Sequence, residues 1–153
     1  MKITTVHPLG SLSDYKFVVV MARHAGGLLL CRKKGRDTWE TPGGHIEAGE
    51  RPVDAAKREL WEETGAREFR VRPGFDYYCA DDLGWANGQV LIADVAQMGD
   101  LPEEFEMEEV RAFSALPENM SYPHILPVLW AEFERLFGWD TNEPGRQDDT
   151  GTH

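Results

Sequence analysis

At 153 residues and 41% hydrophobic, the chain is long enough for one domain with a real core. Its 27 acidic residues against 16 Lys and Arg give a formal charge of −11, which argues against long nucleic acid as a partner, because polymer binding needs a basic stripe. No apolar run approaches the ~18–20 residues that span a bilayer, and Met1-Lys2-Ile3-Thr4-Thr5 lacks an apolar signal core, so a cytoplasmic protein with no membrane partner is expected.

In chain order, Phe17-Val18-Val19-Val20-Met21 is a β-branched and aromatic run that predicts a buried strand, and Leu28-Leu29-Leu30-Cys31 predicts a second. Ala25-Gly26-Gly27 between them is a hairpin signal. Pro52 stands where a helix begins and Gly65 where it is capped, with Val53, Ala56 and Leu60 on one face to pack on a sheet. Further strands are predicted near 66–79, 88–96 and 109–114, with an acidic loop from Pro102 to Glu109. A second helix fits 124–137, where Leu126, Leu129, Trp130, Phe133 and Phe137 fall at helical spacing. The domain is expected to span 1–137, and the polar tail 138–153 to be a flexible extension. Strands on both sides of one helix, with a terminal helix, give an α/β or α+β layering. Cys31 and Cys79 lack metal spacing and read as reduced, buried thiols.

The chemistry concentrates in Gly44 to Ala66, GHIEAGERPVDAAKRELWEETGA. Glu59, Glu62 and Glu63 lie at i, i+3 and i+4 and so share one side of the helix. Like charges at that spacing repel by ~0.2–0.5 kcal/mol per pair, near a helix C-terminus that also disfavours anions. A hard divalent cation offsets both terms and turns an acidic site into one that accepts an anion. The plainer reading of such a run is a solvated face supported by i, i+4 pairs such as Arg58–Glu62. The flanks favour the first reading: Gly43-Gly44 permits close backbone approach, and Arg58 can reach back to Glu50 and fix the loop on the helix.

This stretch resembles the Nudix hydrolase signature, G-x5-E-x7-R-E-U-x-E-E-x-G-U with U apolar. Gly44, Glu50, Arg58, Glu59, Leu60, Glu62, Glu63, Gly65 and Ala66 fill every fixed position. The resemblance implies a mixed β-sheet sandwiched between helices, with the signature as a loop–helix–loop. It implies Mg²⁺, with Mn²⁺ as a substitute, on Glu59 and Glu63. Glu62 becomes a third ligand or the group that orients a water, and the Gly43 carbonyl a backbone ligand. Glu50 and Arg58 become the supporting pair. The general base is left among Glu59, Glu62 and the acidic loop.

Outside the signature, one carboxylate of the acidic loop, Glu106 or Glu108 first, is a candidate to complete the site. Arg23, Arg32, Lys33 and Lys34 flank the hairpin and are candidates to meet phosphate, though each taken singly reads as surface charge. Trp39, Tyr77, Tyr78 and Trp85 are candidates to stack on a base, and Asn119 weakly resembles a base-reading Asn of nucleoside-triphosphate-cleaving relatives. The expected activity is Mg²⁺-dependent cleavage of a diphosphate linkage in a small nucleotide substrate, foremost a nucleoside triphosphate, oxidised forms such as 8-oxo-dGTP included, to monophosphate and pyrophosphate. The alternatives are an ADP-ribose or dinucleoside polyphosphate hydrolase, a non-catalytic nucleotide-sensing module, or an acidic adaptor domain. A homodimer is left open.

Overall fold

The computed structural model describes residues 1–139 and 149–152. Its centre is the β-branched segment, strand β2 (Tyr15–His24), which runs parallel to β7 (Gly84–Met98). β2 turns through Ala25 and Gly26 into β3 (Gly27–Lys33). Both turn residues have positive φ, 50° and 79°, the conformation that two-residue hairpins need to match strand twist. Further out, β1 (Ile3–His7) pairs with β6 (Ala66–Asp81), which forms a long antiparallel hairpin with β7. On the other side, β4 (Trp39–Glu40) and β8 (Met107–Phe113) pair with β3, and β5 (Gly43–His45) pairs with β2.

Period-two alternation sorts the strands' side chains onto two faces. Val18, Val20, Ala22 and Leu29 pack with Ala55, Ala56 and Leu60 of helix α1 (Pro52–Thr64). Met21, Leu28 and Leu30 pack with Leu126, Leu129, Trp130 and Phe133 of helix α2 (Leu126–Leu136). The result is the expected mixed sheet between helices. The hairpin, α1 and its Gly65 cap stand where the sequence puts them. β1, β4 and β5 are additional, and α2 starts at Leu126 rather than 124 because Pro123 and His124 belong to a preceding turn. Cys79 is half-exposed rather than buried, while Cys31 is buried; both are free thiols.

Arg23, only 4% exposed, is clamped by Asp94 at 2.6 and 3.1 Å across the β2–β7 pair, which supplies the fork geometry a buried guanidinium requires. Of the tail expected to be flexible, residues 140–148 and 153 lie outside the described residues. Trp139 packs edge-on against Trp130 and Phe133, and β9 (Asp149–Thr152) pairs with Glu68 to Val71 of β6.

Candidate active site

Pro52 opens α1 where a missing N–H costs nothing. Gly65 closes it in the left-handed conformation, φ 76°, with its N–H on the Trp61 carbonyl at 2.9 Å. With Ala55, Ala56, Leu60 and Thr64 turned into the core, the helix lays Glu59, Glu62 and Glu63 alongside β5. The Gly43 N–H donates to Glu63 Oε1 at 2.8 Å. Gly44 faces Glu59 so closely that a Cβ there would lie 2.6 Å from Oε1. Gly43, at φ 157°, has no room either, since a Cβ would run into the Val18 carbonyl. The glycine pair is therefore what lets the loop and the carboxylates meet.

Arg58 binds the segment together. It donates to both Glu50 oxygens at 2.8 and 3.0 Å, to Glu59 Oε1 at 2.8 Å and to the His45 carbonyl at 3.1 Å. Glu62 stands 3.5 Å from the same guanidinium. These partners divide the four glutamates electrostatically. The Arg58 hydrogen bond holds Glu50 below the usual carboxylate range, so Glu50 is a fully charged support. Burial pushes Glu59 and Glu62 upward, with Arg58 pulling the other way. Glu63 is pushed up to about 8 by burial, reinforced by Glu59 and Glu40 and opposed by the Gly43 N–H and Lys33.

Carboxylates that are costly to ionise side by side suit a divalent cation, and an all-oxygen donor set suits Mg²⁺ or Mn²⁺. Among the described residues no three His, Cys, Asp or Glu side chains form a ready-made metal site. Mg²⁺ does not need one, since it keeps waters and takes substrate phosphates as ligands.

Glu59, Glu62 and Glu63 line a cleft of about 880 Å³. Its other walls bring Trp39, Tyr77, Trp85, Phe105, Tyr122 and Leu126 around the site. Glu106 and Lys33 also line it. Lys33 lies 3.6 Å from Glu106 and 3.9 Å from Glu40. Burial works against the Lys33 charge, yet Glu40, Tyr122 and Glu106 outweigh it and keep the ammonium protonated.

Six candidate residues, Arg23, Arg32, Lys34, Tyr78, Glu108 and Asn119, are not brought to the cleft. Arg32 pairs with Glu108 at 3.3 Å and Glu109 at 3.1 Å, so Arg32 and Glu108 are occupied with each other on the β3–β8 ribbon. Asn119 spends its side-chain amide on the Asp37 carbonyl, and its own carbonyl accepts the Trp39 N–H, so it ties a loop down. Trp39 is a buried wall of the cleft, with Arg111 and Phe113 on its ring. Glu40 was not anticipated: it is 9% exposed, lines the cleft and bears on Glu63. Its place just before Pro42-Gly43-Gly44 was the signal, but its burial follows from the pairing of β4 with β3.

The chain resembles known proteins along most of its length. The RNA pyrophosphohydrolase of Bartonella bacilliformis is 48% identical over 103 residues, 64% of this chain and 59% of that protein. The putative 8-oxo-dGTP diphosphatase YtkD of Bacillus subtilis is 33% identical over 106 residues, 69% of this chain and 66% of that protein. The RNA pyrophosphohydrolase of Psychrobacter sp. is 45% identical over 47 residues, 31% of this chain and 27% of that protein. Less than two thirds of each of these relatives is thus spanned. A crystal structure of a mutant of the Bacillus subtilis pyrophosphohydrolase BsRppH superposes with a TM-score of 0.73 at 26% identity, covering 90% of this chain and 93% of that one. The NUDIX domain family model matches residues 14–123, well over half of the chain and inclusive of every carboxylate described above. With the complete signature and the sandwich that carries it, the chain belongs to the NUDIX family.

Proposed function

We propose that the protein hydrolyses a diphosphate linkage in a nucleotide, with a nucleoside triphosphate, oxidised forms such as 8-oxo-dGTP included, as the foremost substrate. The observation that carries this reading is the half-buried trio Glu59, Glu62 and Glu63, with Glu59 and Glu63 packed on a glycine pair, lining a cleft that aromatic side chains also line. Glu59 and Glu63 would hold Mg²⁺ or Mn²⁺, with Glu62 and the Gly43 carbonyl as further donors. When bound, the cation neutralises phosphate oxygens and acidifies a water. Glu62, whose affinity for a proton is raised by burial, takes the proton from the attacking water. Water oxygen bonds to phosphorus as the P–O–P bond breaks, and the leaving phosphate carries off the bridging oxygen. Glu50 and Arg58 touch no reacting atom; they set the position of Glu59 and of the loop carbonyls. Tyr77, a candidate for stacking, is 3% exposed and belongs to the core, whereas Tyr122, 47% exposed, offers a face for a base.

The likeness to proteins named RNA pyrophosphohydrolase favours a second substrate, the 5′-triphosphate end of an RNA. Trp85, at the cleft mouth and 62% exposed, supports it by offering a platform for a following base. Pyrophosphate and phosphate release should be followed with GTP, 8-oxo-dGTP, ADP-ribose, a dinucleoside polyphosphate and a 5′-triphosphorylated RNA, in Mg²⁺ and in excess chelator. Turnover of at least one with Mg²⁺ and none with chelator is expected. Nucleotide binding without turnover of any would replace the enzyme by a sensing module.

A further inference from the structure

We propose that Trp61 and Phe105 are positioning residues: their contact holds the acidic loop on α1 and so keeps the Glu106 carboxylate at the cleft, beside the place of the cation. The inference rests on the metal-dependent reading of the site and deepens it.

The segment that follows β7 touches the C-terminal end of α1 twice. The Gly99 N–H donates to the Gly65 carbonyl at 2.8 Å, and the approach there is so close that a Cβ on Gly65 would lie 2.6 Å from the Asp100 carbonyl oxygen. Further along, the Phe105 ring meets the Trp61 ring edge-on, with centroids 5.7 Å apart and planes at 79°. Beyond Phe105 the sheet takes up the backbone, since the Lys34 N–H donates to the Glu106 carbonyl at 2.9 Å just before β8 begins. Between these attachments the loop has one solvent-exposed hydrogen bond, from the Lys34 ammonium to the Glu103 carbonyl at 2.9 Å, and the ring of Phe105.

The ring contact works against charge. Glu103, Glu104 and Glu106 are exposed, and Phe105 is the one side chain among them that is partly buried. Glu106 lines the same cleft as Glu59, Glu62 and Glu63, in a chain of net charge −11, so like charge drives the loop away from the cleft while no cation is bound. Lys33, 3.6 Å from Glu106, offsets part of this, but the Glu106 side chain is 75% exposed and a pair so solvated is weak. An apolar contact is indifferent to that repulsion and to the salt that screens it. Phe105 itself lines the cleft, whereas Trp61 is not among the lining residues and fills the unspecified place between Leu60 and Glu62 in the signature. Trp61 therefore acts on the site through the ring it holds.

Mn²⁺ binding to the metal-free protein, read from the loss of the free ion's electron paramagnetic resonance signal, tests this without turnover. Phe105→Ala and Trp61→Ala should each weaken binding by roughly two- to tenfold, the worth of one edge-on aromatic pair, and the double variant should lose no more than either alone. Trp61→Phe should retain most of the affinity. Glu106→Gln should weaken binding at least as much as Phe105→Ala, and adding Phe105→Ala to it should change nothing further. That dependence on Glu106 is what a pair that merely stabilises the fold cannot give. Thermal melts check folding, and Phe105→Leu replaces Phe105→Ala if the latter misfolds. Parent-like affinity in either alanine variant, or a Phe105→Ala effect that persists in the Glu106→Gln background, overturns the inference. A parent that binds no Mn²⁺ overturns it together with the metal site. A parent that binds Mn²⁺ but hydrolyses nothing in the substrate panel breaks the enzymatic reading alone and leaves the binding comparison standing.

Discussion

One wall of the cleft comes from a single stretch of chain, Arg58 to Glu63, and is knitted by one guanidinium; a second wall is assembled from Tyr77, Trp85, Tyr122 and Leu126, contributed by β6, β7, the approach to α2 and the first residue of α2. The first wall is charged, half-buried and internally hydrogen-bonded. The second is aromatic and held by packing and backbone bonds, such as the Ser121 N–H on the Trp39 carbonyl at 2.9 Å. If the proposed function holds, the charged wall would meet the diphosphate and the aromatic wall the rest of the molecule, which would separate reaction from recognition. Substitutions on the first wall should lower kcat for every substrate, and those on the second should alter KM for some.

The sharpest way to break that separation is Glu63→Gln. The amide still accepts the Gly43 N–H, so only the charge is lost. We expect kcat to fall by about 10³-fold or more for all members of the substrate panel at saturating Mg²⁺, and near-normal turnover would remove Glu63 from the metal site. Gly44→Ala comes next. The new Cβ meets Glu59 at 2.6 Å and must displace it or the loop. A displacement on the order of 1 Å in a catalytic group costs roughly 10²-fold, with secondary structure by circular dichroism unchanged. Unaltered steady-state kinetics would show that the close approach is incidental.

On the opposite wall, Trp85→Ala should leave GTP kinetics within about twofold and raise KM for a 5′-triphosphorylated RNA by roughly tenfold, the worth of one base stacked on an aromatic ring. A drop in kcat for both would mean that the two walls are not independent. The smallest effect is thermal. Glu63 binds a proton in the folded chain up to about pH 8, whereas unfolded it releases that proton in the ordinary carboxylate range. Folded protein therefore holds more protons than unfolded between those limits, and the stability of the metal-free protein must decrease as pH rises from about 4.5 to 8. A loss of at least about 1 kcal/mol, or about 2–4 °C in Tm, is expected. Mg²⁺ should reduce it by taking the proton's place, and Glu63→Gln should flatten it. A Tm independent of pH across that range in chelator would contradict the buried, proton-holding Glu63.

The same contrast explains what could be read from the chain alone. Glu50, Arg58, Glu59, Glu62 and Glu63 were legible because helical spacing and one short loop determine their relations, and Arg58 does reach Glu50 and Glu59. The helix boundaries were legible from Pro52 and Gly65, whose local geometry decides them. Arg32 and Glu108 looked like site residues because both sign and approximate position suited phosphate or metal. That they meet each other depends on the register of β3 against β8, which no local pattern encodes. Asn119 was a matter of resemblance, and the parallel bridge of Trp39 with Met120 gives it a different task. Glu40 escaped notice for the converse reason: a charged residue beside a Trp reads as surface until β3 covers it.

The parallel pairing of β2 with β7 has a kinetic consequence. Its clamp, Arg23 with Asp94, joins positions 71 apart, and every carboxylate of the α1 wall lies inside the loop so closed. Closing a loop of that length costs about 4 kcal/mol in chain entropy before any strand contact is gained, and such distant pairings slow folding. Helix α1 can flicker into existence on its own sequence signals, but Gly43 and Gly44 are brought against it only when β5 docks on β2. During refolding, recovery of metal affinity should therefore lag helix formation and keep time with the closing of the central sheet.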